Sequence, residues 1–148
     1  MRNSDEFAEA FRAYWARPTV DGLDALLAED VVLRQPLGPT TRGLPAGKEA
    51  FARIFDAIPD LHGEVDGWVA ADDRLFIEFR LLCTLGGQPV AWPVVDRFSL
   101  REGMATERVS FFDPTTLLLA VLRHPSTWRA FARTRVSRRE RLSARRSA

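Results

Sequence analysis

The 148-residue sequence has little of what most metal-binding and nucleophilic sites need. It contains one cysteine, Cys83, so no disulfide can form within the chain, and its apolar surroundings are typical of a core thiol. Two isolated histidines and one cysteine make no metal-binding constellation. A glycine-rich phosphate loop and a Gly-x-Ser-x-Gly motif are also absent. We therefore expect a protein that works without a metal or a cofactor.

Long apolar runs are missing as well. No stretch approaches the ~18 apolar residues of a membrane span, and the first residues carry no apolar signal segment. The net charge of +1 hides an asymmetry, because residues 133–148 hold seven arginines and one glutamate, whereas the other 132 residues carry 14 basic and 19 acidic side chains. Nothing in this acidic body indicates a nucleic-acid surface. The composition predicts a soluble, cytoplasmic protein without a nucleic-acid or membrane partner.

The pattern predicts one domain, residues 1–132, and a basic, poorly ordered tail, residues 133–148. Helices are expected to begin at Ser4, which could act as the cap, and at Asp21, and to cover residues 46–58. Strands follow over 64–71, 75–85, 90–100 and 106–112, after a first strand over 31–35. A helical cap begins near residue 115. This order indicates an α+β fold with one curved antiparallel sheet wrapped around helices.

One carboxyl group falls on an apolar strand face. The even positions of residues 90–100 include Trp92, Val94, Asp96 and Phe98, and this set should face the core. A buried unpaired charge is costly, so Asp96 should have a partner or hold a proton. It is either a functional carboxyl group or a structural one that caps the backbone or pairs with an arginine.

The order of elements, with Ala28-Glu29-Asp30-Val31-Val32 after the second helix and a glycine-containing loop before the third, resembles the SnoaL-like branch of the nuclear transport factor 2-like superfamily. That branch includes polyketide cyclases, ketosteroid isomerases and limonene epoxide hydrolases. The resemblance covers about residues 5–122. It implies a cone-shaped sheet that encloses an apolar pocket, and a homodimer formed through the sheet.

Neither of two reference catalytic sets is complete in this sequence. In the isomerase register the general base falls on Gln35, which cannot take a proton, and the oxyanion-binding tyrosine falls on Phe11, with Tyr14 one turn later. Only the second oxyanion donor remains, as Asp96. In the hydrolase register Arg80 and Asp113 match, but Leu82 replaces the other aspartate. Both reactions are therefore disfavoured by their reference mechanisms.

The family arrangement implies that the mixed phase of residues 75–82 lines the pocket, so that Glu78, Arg80, Asp96 and Asp113 converge with Gln35. Alternatively, Glu78 and Arg80 form a weak surface pair, and Asp113 caps the following helix. His62, in the loop before the strand meander, is either a general base at the pocket mouth or a surface histidine. The remaining predicted pocket residues are aromatic: Tyr14, Trp15, Phe55, Trp68, Trp92, Phe98 and Phe111.

Two functions are compatible with these residues. The first is binding of a small apolar ligand with a carbonyl or hydroxyl group, with cofactor-free isomerase- or cyclase-type proton transfer. Asp96 would donate a hydrogen bond, and Asp113 or His62 would accept the proton. The second is a non-catalytic dimeric binding or interaction module whose pocket is filled by its own side chains.

Overall fold

A computed structural model describes residues 3–129, which form three helices and one six-stranded sheet. The predicted basic tail lies outside the described residues. The helices are α1 (Ser4–Ala16), α2 (Leu44–Ala57) and α3 (Pro114–Arg123), and short 3₁₀ segments cover Asp21–Ala25 and Pro125–Thr127. The strands are β1 (Leu27–Arg34), β2 (Thr41–Arg42), β3 (His62–Ala71), β4 (Arg74–Leu85), β5 (Gln88–Arg101) and β6 (Met104–Phe111).

The strands form a curved, open sheet in the order β2-β1-β6-β5-β4-β3. Strands β1 and β6 run parallel, and the other neighbouring strands run antiparallel. The predicted α+β class with a sheet wrapped around helices is confirmed, and the β1–β6 pair makes the sheet mixed. The two-residue strand β2 has no periodicity that the sequence could reveal.

Helix α1 begins at a capping box whose cap lies one residue before the predicted cap, Ser4. The Asn3 side chain accepts a hydrogen bond from the Glu6 backbone N–H at 2.8 Å, and the Glu6 carboxylate accepts one from the Asn3 N–H at 3.2 Å. Asn3, and not Ser4, is therefore the cap. The apolar stripe of α1 carries Phe11 onto the sheet, where its ring centroid lies 5.1 Å from that of Phe79.

The sheet has an inner face, which carries the core, and an outer face. The inner face includes Leu75, Ile77 and Phe79 of β4 and the even positions 92–98 of β5, all of which are buried. The outer face includes the even positions of β4 and the odd positions of β5, which are mostly exposed. Helix α1 packs against the inner side at β3, so the sheet and the helices enclose a single core.

No helix within residues 3–129 is both long enough and apolar enough to cross a lipid bilayer.

We predict that Gly86→Ala destabilises the protein more than Gly87→Ala does. Both glycines of the β4–β5 hairpin have positive φ, +56° and +76°. A Cβ at Gly86 would collide with the imidazole ring of His124, whereas a Cβ at Gly87 meets nothing within 4 Å. Backbone strain should cost each variant about 1 kcal/mol, and the steric clash should add about 1 kcal/mol or more to Gly86→Ala. Urea unfolding measures both losses, and equal losses would show that the His124 contact is unimportant.

Candidate functional site

The buried polar centre of the protein is an ion pair between Asp96 on β5 and Arg108 on β6. Nε of Arg108 donates a hydrogen bond to Oδ2 of Asp96 at 2.5 Å. Asp96 is 0 % exposed and Arg108 is 8 % exposed. Among the described residues, Oδ1 of Asp96 accepts no hydrogen bond of normal geometry. The prediction that Asp96 points into the core is therefore confirmed, and its partner is an arginine that the sequence analysis did not select.

Aromatic rings surround the guanidinium group of Arg108. Its Cζ lies 5.5 Å from the ring centre of Phe51 and 5.9 Å from that of Trp15, within the range of cation–π attraction. These rings shield the cation from water. The pair is therefore held in an apolar shell, and the two charges compensate each other there.

Burial raises the pKa of Asp96 above its ordinary value, and the charge of Arg108 and the hydroxyl of Ser110 oppose that rise. Ser110 lies directly opposite Asp96 in the β5–β6 register. Burial also raises the pKa of Tyr14, against the opposing effect of Arg108. The Tyr14 hydroxyl donates a hydrogen bond to the Thr19 carbonyl at 3.1 Å. It is therefore a neutral donor held by the backbone.

A β-bulge brings Arg108 to the inner face. Arg101 and Leu100 pair with Met104 and Ala105, but Ser99 pairs with Glu107, so one extra residue of β6 enters between Ala105 and Glu107. An insertion of one residue moves every following side chain to the opposite face. Without it, Val109 and Phe111 would face inward. The bulge has no recognisable sequence pattern, so strict alternation predicts the wrong inward-facing phase for β6.

The predicted convergence of Arg80 and Glu78 with Asp96 is wrong. Both residues lie on the outer face of β4, where Arg80 forms ion pairs at 3.0 Å with Glu64 and Asp66 of β3. The wholly apolar phase of β4 faces the core instead, because burying it removes more apolar surface from water. Arg80 therefore cannot orient Asp96, and its own partners are a surface cluster.

The two expected proton acceptors do not face the interior. Asp113 is exposed and caps α3, accepting a hydrogen bond from the Thr115 backbone N–H at 2.8 Å, and this bond lowers its pKa. The capping interpretation is thus confirmed. His62 begins β3 on the same sheet face as Leu82, and its Nδ1 lies 2.9 Å from the Asp60 carbonyl oxygen. It lies on the outer face, away from Asp96.

Three predicted pocket residues lie elsewhere. Gln35 is exposed in the loop after β1, and Phe111 is 51 % exposed on the outer face because of the bulge. Trp68 packs beside α1, where Nε1 donates a hydrogen bond to Asp5 at 2.8 Å and Arg12 covers the ring. The remaining five predicted pocket residues do contribute to the interior: Tyr14, Trp15, Phe55, Trp92 and Phe98.

Those aromatic residues fill the interior. The cavity beside Arg108 has a volume of about 10 Å³, which is the room for one water molecule. A site for a drug-sized ligand typically has roughly 300–1,000 Å³. The cavity beside Arg108 is therefore far smaller than the expected ligand pocket. The residues that surround the small cavity are Phe7, Phe11, Tyr14, Trp15, Leu23, Leu26, Leu27, Phe51, Phe98 and Arg108.

Histidine, cysteine, aspartate and glutamate form no group of three or more that could hold a metal ion within residues 3–129.

The chain belongs to the SnoaL-like domain family, whose model matches residues 8–108. No protein of curated function matches the sequence.

Solved structures share the fold at low sequence identity. A protein assigned as a SnoaL-like polyketide cyclase from Jannaschia sp. CCS1 is 18% identical over 80% of this chain and 90% of its own, with a TM-score of 0.69. A Catenulispora acidiphila protein with a ketosteroid isomerase-like fold, in complex with trimethylamine, is 21% identical over 80% and 93%, with a TM-score of 0.71. TerC, co-crystallised with polyporic acid, is 21% identical over 80% and 97%, with a TM-score of 0.72.

We predict that Arg108→Met lowers the free energy of unfolding by about 3–5 kcal/mol at neutral pH, because it leaves a buried carboxylate without its partner. Loss of Arg108 also removes an interaction that lowers the Asp96 pKa. A raised folded-state pKa contributes stability that is complete below the unfolded pKa and is lost as pH rises through the folded pKa. The variant should therefore regain part of its loss on acidification.

Urea unfolding at neutral and mildly acidic pH tests this expectation. The double variant Asp96→Leu/Arg108→Met is the control, because it removes both charges and keeps an apolar filling. It should recover most of the stability and lack the acid-dependent gain. An Arg108→Met variant as stable as the wild type at neutral pH would contradict a structural role for the pair.

Proposed function

We propose that this protein is a non-catalytic SnoaL-like binding module that acts as a homodimer through the outer face of its sheet. The observation that carries this proposal is the interior cavity of about 10 Å³. A cone this full has no room for the carbonyl-bearing ligand expected from its relatives. The outer face is then the surface through which the fold can act.

The groups expected to perform acid–base chemistry all have structural partners. Arg108 compensates the charge of Asp96, a backbone N–H binds Asp113, and two carboxylates hold Arg80. A general base must reach its substrate within hydrogen-bonding distance. Asp96 lies in the filled core, and Asp113 is not beside it. This distribution favours a scaffold over a proton-transfer site.

The outer face has the composition of a self-association surface. Val95 and Phe111 are register partners on β5 and β6, and they are 37 % and 51 % exposed. Ion pairs flank them on both sides. Arg80 pairs with Asp66 on one side, and Arg97 pairs with Glu107 on the other. An apolar centre with a polar, mixed-charge rim is typical of protein interfaces, and a two-fold dimer uses the same patch on both copies.

We predict that Phe111→Asp dissociates the dimer, because it places a charge at the apolar centre of the interface. The dimer dissociation constant should rise roughly 30-fold, the equivalent of about 2 kcal/mol for a central interface residue. Sedimentation-velocity ultracentrifugation over a concentration series measures this change. Leu37→Asp is the matched control, since Leu37 is 53 % exposed in the loop after β1. A monomeric wild type, or a Phe111→Asp variant that still dimerises normally, would overturn the proposed assembly.

A second candidate function, binding of a small ligand inside the cone, has one specific observation in its favour. Arg108 and Tyr14 line the remaining cavity, and the hydrogen bond from Arg108 to Asp96 uses Nε rather than a terminal nitrogen. Its terminal nitrogens could therefore bind an acceptor oxygen if the rings moved aside. TerC, a structural neighbour, was co-crystallised with polyporic acid, which makes a ligand of this kind a reasonable alternative.

Native mass spectrometry of the purified protein separates the two candidates. The filled-cone proposal predicts a mass that equals one or two chains and no bound small molecule. A ligand that co-purifies with the wild type and is lost from Arg108→Lys would favour the second candidate, because lysine retains the charge but not the guanidinium geometry. Circular dichroism would establish that this variant is folded.

A further inference from the structure

We propose that helix α3 takes part in the dimer, so that the Arg123 end of one copy lies over the Glu78 end of the other. This inference rests on the proposed function, since it specifies the register of the outer-face dimer. It concerns a groove beside α3 and the apolar strip along β5 that continues from it.

The strip consists of the outward-facing residues of β5: Pro89, Ala91, Pro93 and Val95. All four are exposed. They occupy one phase of a continuous strand, so they form a line about 20 Å long at ~3.3 Å per residue. The strip is apolar from end to end.

Helix α3 extends this apolar surface at one end of the strip. Strand β6 pairs with β5 only from Val95 to Arg101, so the first half of β5 has no strand on that side, and α3 packs beside it. An open groove of about 350 Å³ separates the helix from the strand. Thr116, Leu119, Ala120 and Arg123 of α3 line it opposite Pro89, Val90 and Ala91.

Helix α3 has an unusually apolar, uncovered surface. None of its residues is fully buried, although Leu117 and Ala120 contact the core. Leu119 and Leu122 are 45 % and 62 % exposed, and Trp128 beyond the helix is about half exposed. A ten-residue helix gains most of its stability from packing. A partner that covers the groove and Leu119 would supply packing that residues 3–129 do not provide.

The charges at the two ends of the strip have opposite signs. Arg123 lies at the α3 end, and Glu78 lies at the other end as the register partner of Val95. Both side chains are exposed, and neither forms an ion pair in the described chain. Arg80, near the middle of the strip, is already compensated by Glu64 and Asp66. The uncompensated charges are thus at opposite ends.

A second copy of the chain fits this arrangement. In a two-fold interface, residue i of one copy meets residue j of the other, and j meets i. Because α3 lies on the β6 side of β5 and Glu78 lies on the β4 side, a two-fold axis that crosses the middle of the strip obliquely brings Arg123 of each copy toward Glu78 of the other. The same operation brings Leu119 toward Val95, which lies between the two strands. Both charge and apolarity are complementary in this register.

A charge-swap series tests the register by sedimentation at low salt. Arg123→Glu and Glu78→Arg should each raise the dimer dissociation constant by about 3- to 10-fold, because each creates two symmetric repulsive contacts. The double variant Arg123→Glu/Glu78→Arg should return the constant to near the wild-type value. Circular dichroism establishes that each variant is folded.

A matched pair of leucine variants tests the apolar part. Leu119→Asp, inside the groove, should weaken the dimer by about 10-fold or more. Leu118→Asp, on the same helix but outside the groove, should leave it unchanged. If Phe111→Asp gives monomers but the charge swap and Leu119→Asp have no effect, the dimer uses another register and this inference is wrong while the proposed function stands. If the wild type is monomeric, the proposed assembly and the register both fail.

Discussion

The interior of this protein depends on the ion pair between Asp96 and Arg108. Either charge alone would be untenable at this depth, because transferring an ion out of water costs several kcal/mol even after the protein relaxes. Together they form a neutral unit that the rings of Trp15 and Phe51 can cover. The closed packing of the cone follows from this compensation. An inward-facing aspartate therefore does not by itself identify an active site, since its partner decides what it can do.

The position of Arg108 shows how one backbone irregularity can change a candidate site. The sequence correctly predicted an inward Asp96, because the period of β5 is regular and apolar on one side. It could not predict the partner, because the bulge between Ala105 and Glu107 reverses the faces of β6. Face assignment by alternation assumes unbroken register, and a bulge of one residue violates that assumption without any change in composition. Strict alternation along β6 therefore predicts that Arg108 faces solvent, whereas the bulge turns it inward.

Features that depend on local sequence periodicity were predicted correctly, whereas contacts that depend on strand pairing were not. The α+β class, the helical stripe of α1 and the strand meander follow from periodicity within short windows, and all of them are found in the structure. The partners of Arg80 depend on the pairing of β3 with β4, which no local pattern encodes. The inward orientation of Arg80 came from the family arrangement, although the apolar phase of β4 indicated the opposite. For β4, the rule that the more apolar face is buried predicts the observed orientation, and the family arrangement does not.

The same fold can hold an open pocket or a solid core, and side-chain volume decides between them. Phe7, Phe11, Trp15, Phe51 and Phe98 all border the remaining cavity, and rings of this size fill space that smaller residues would leave open. Structural neighbours at about 20% identity establish the fold, and the fold alone does not determine how its interior is filled. Among the described residues, exposed apolar side chains include Val95 on β5 and Leu118, Leu119 and Leu122 on α3. If the interior takes no ligand, as we propose, recognition falls to that surface.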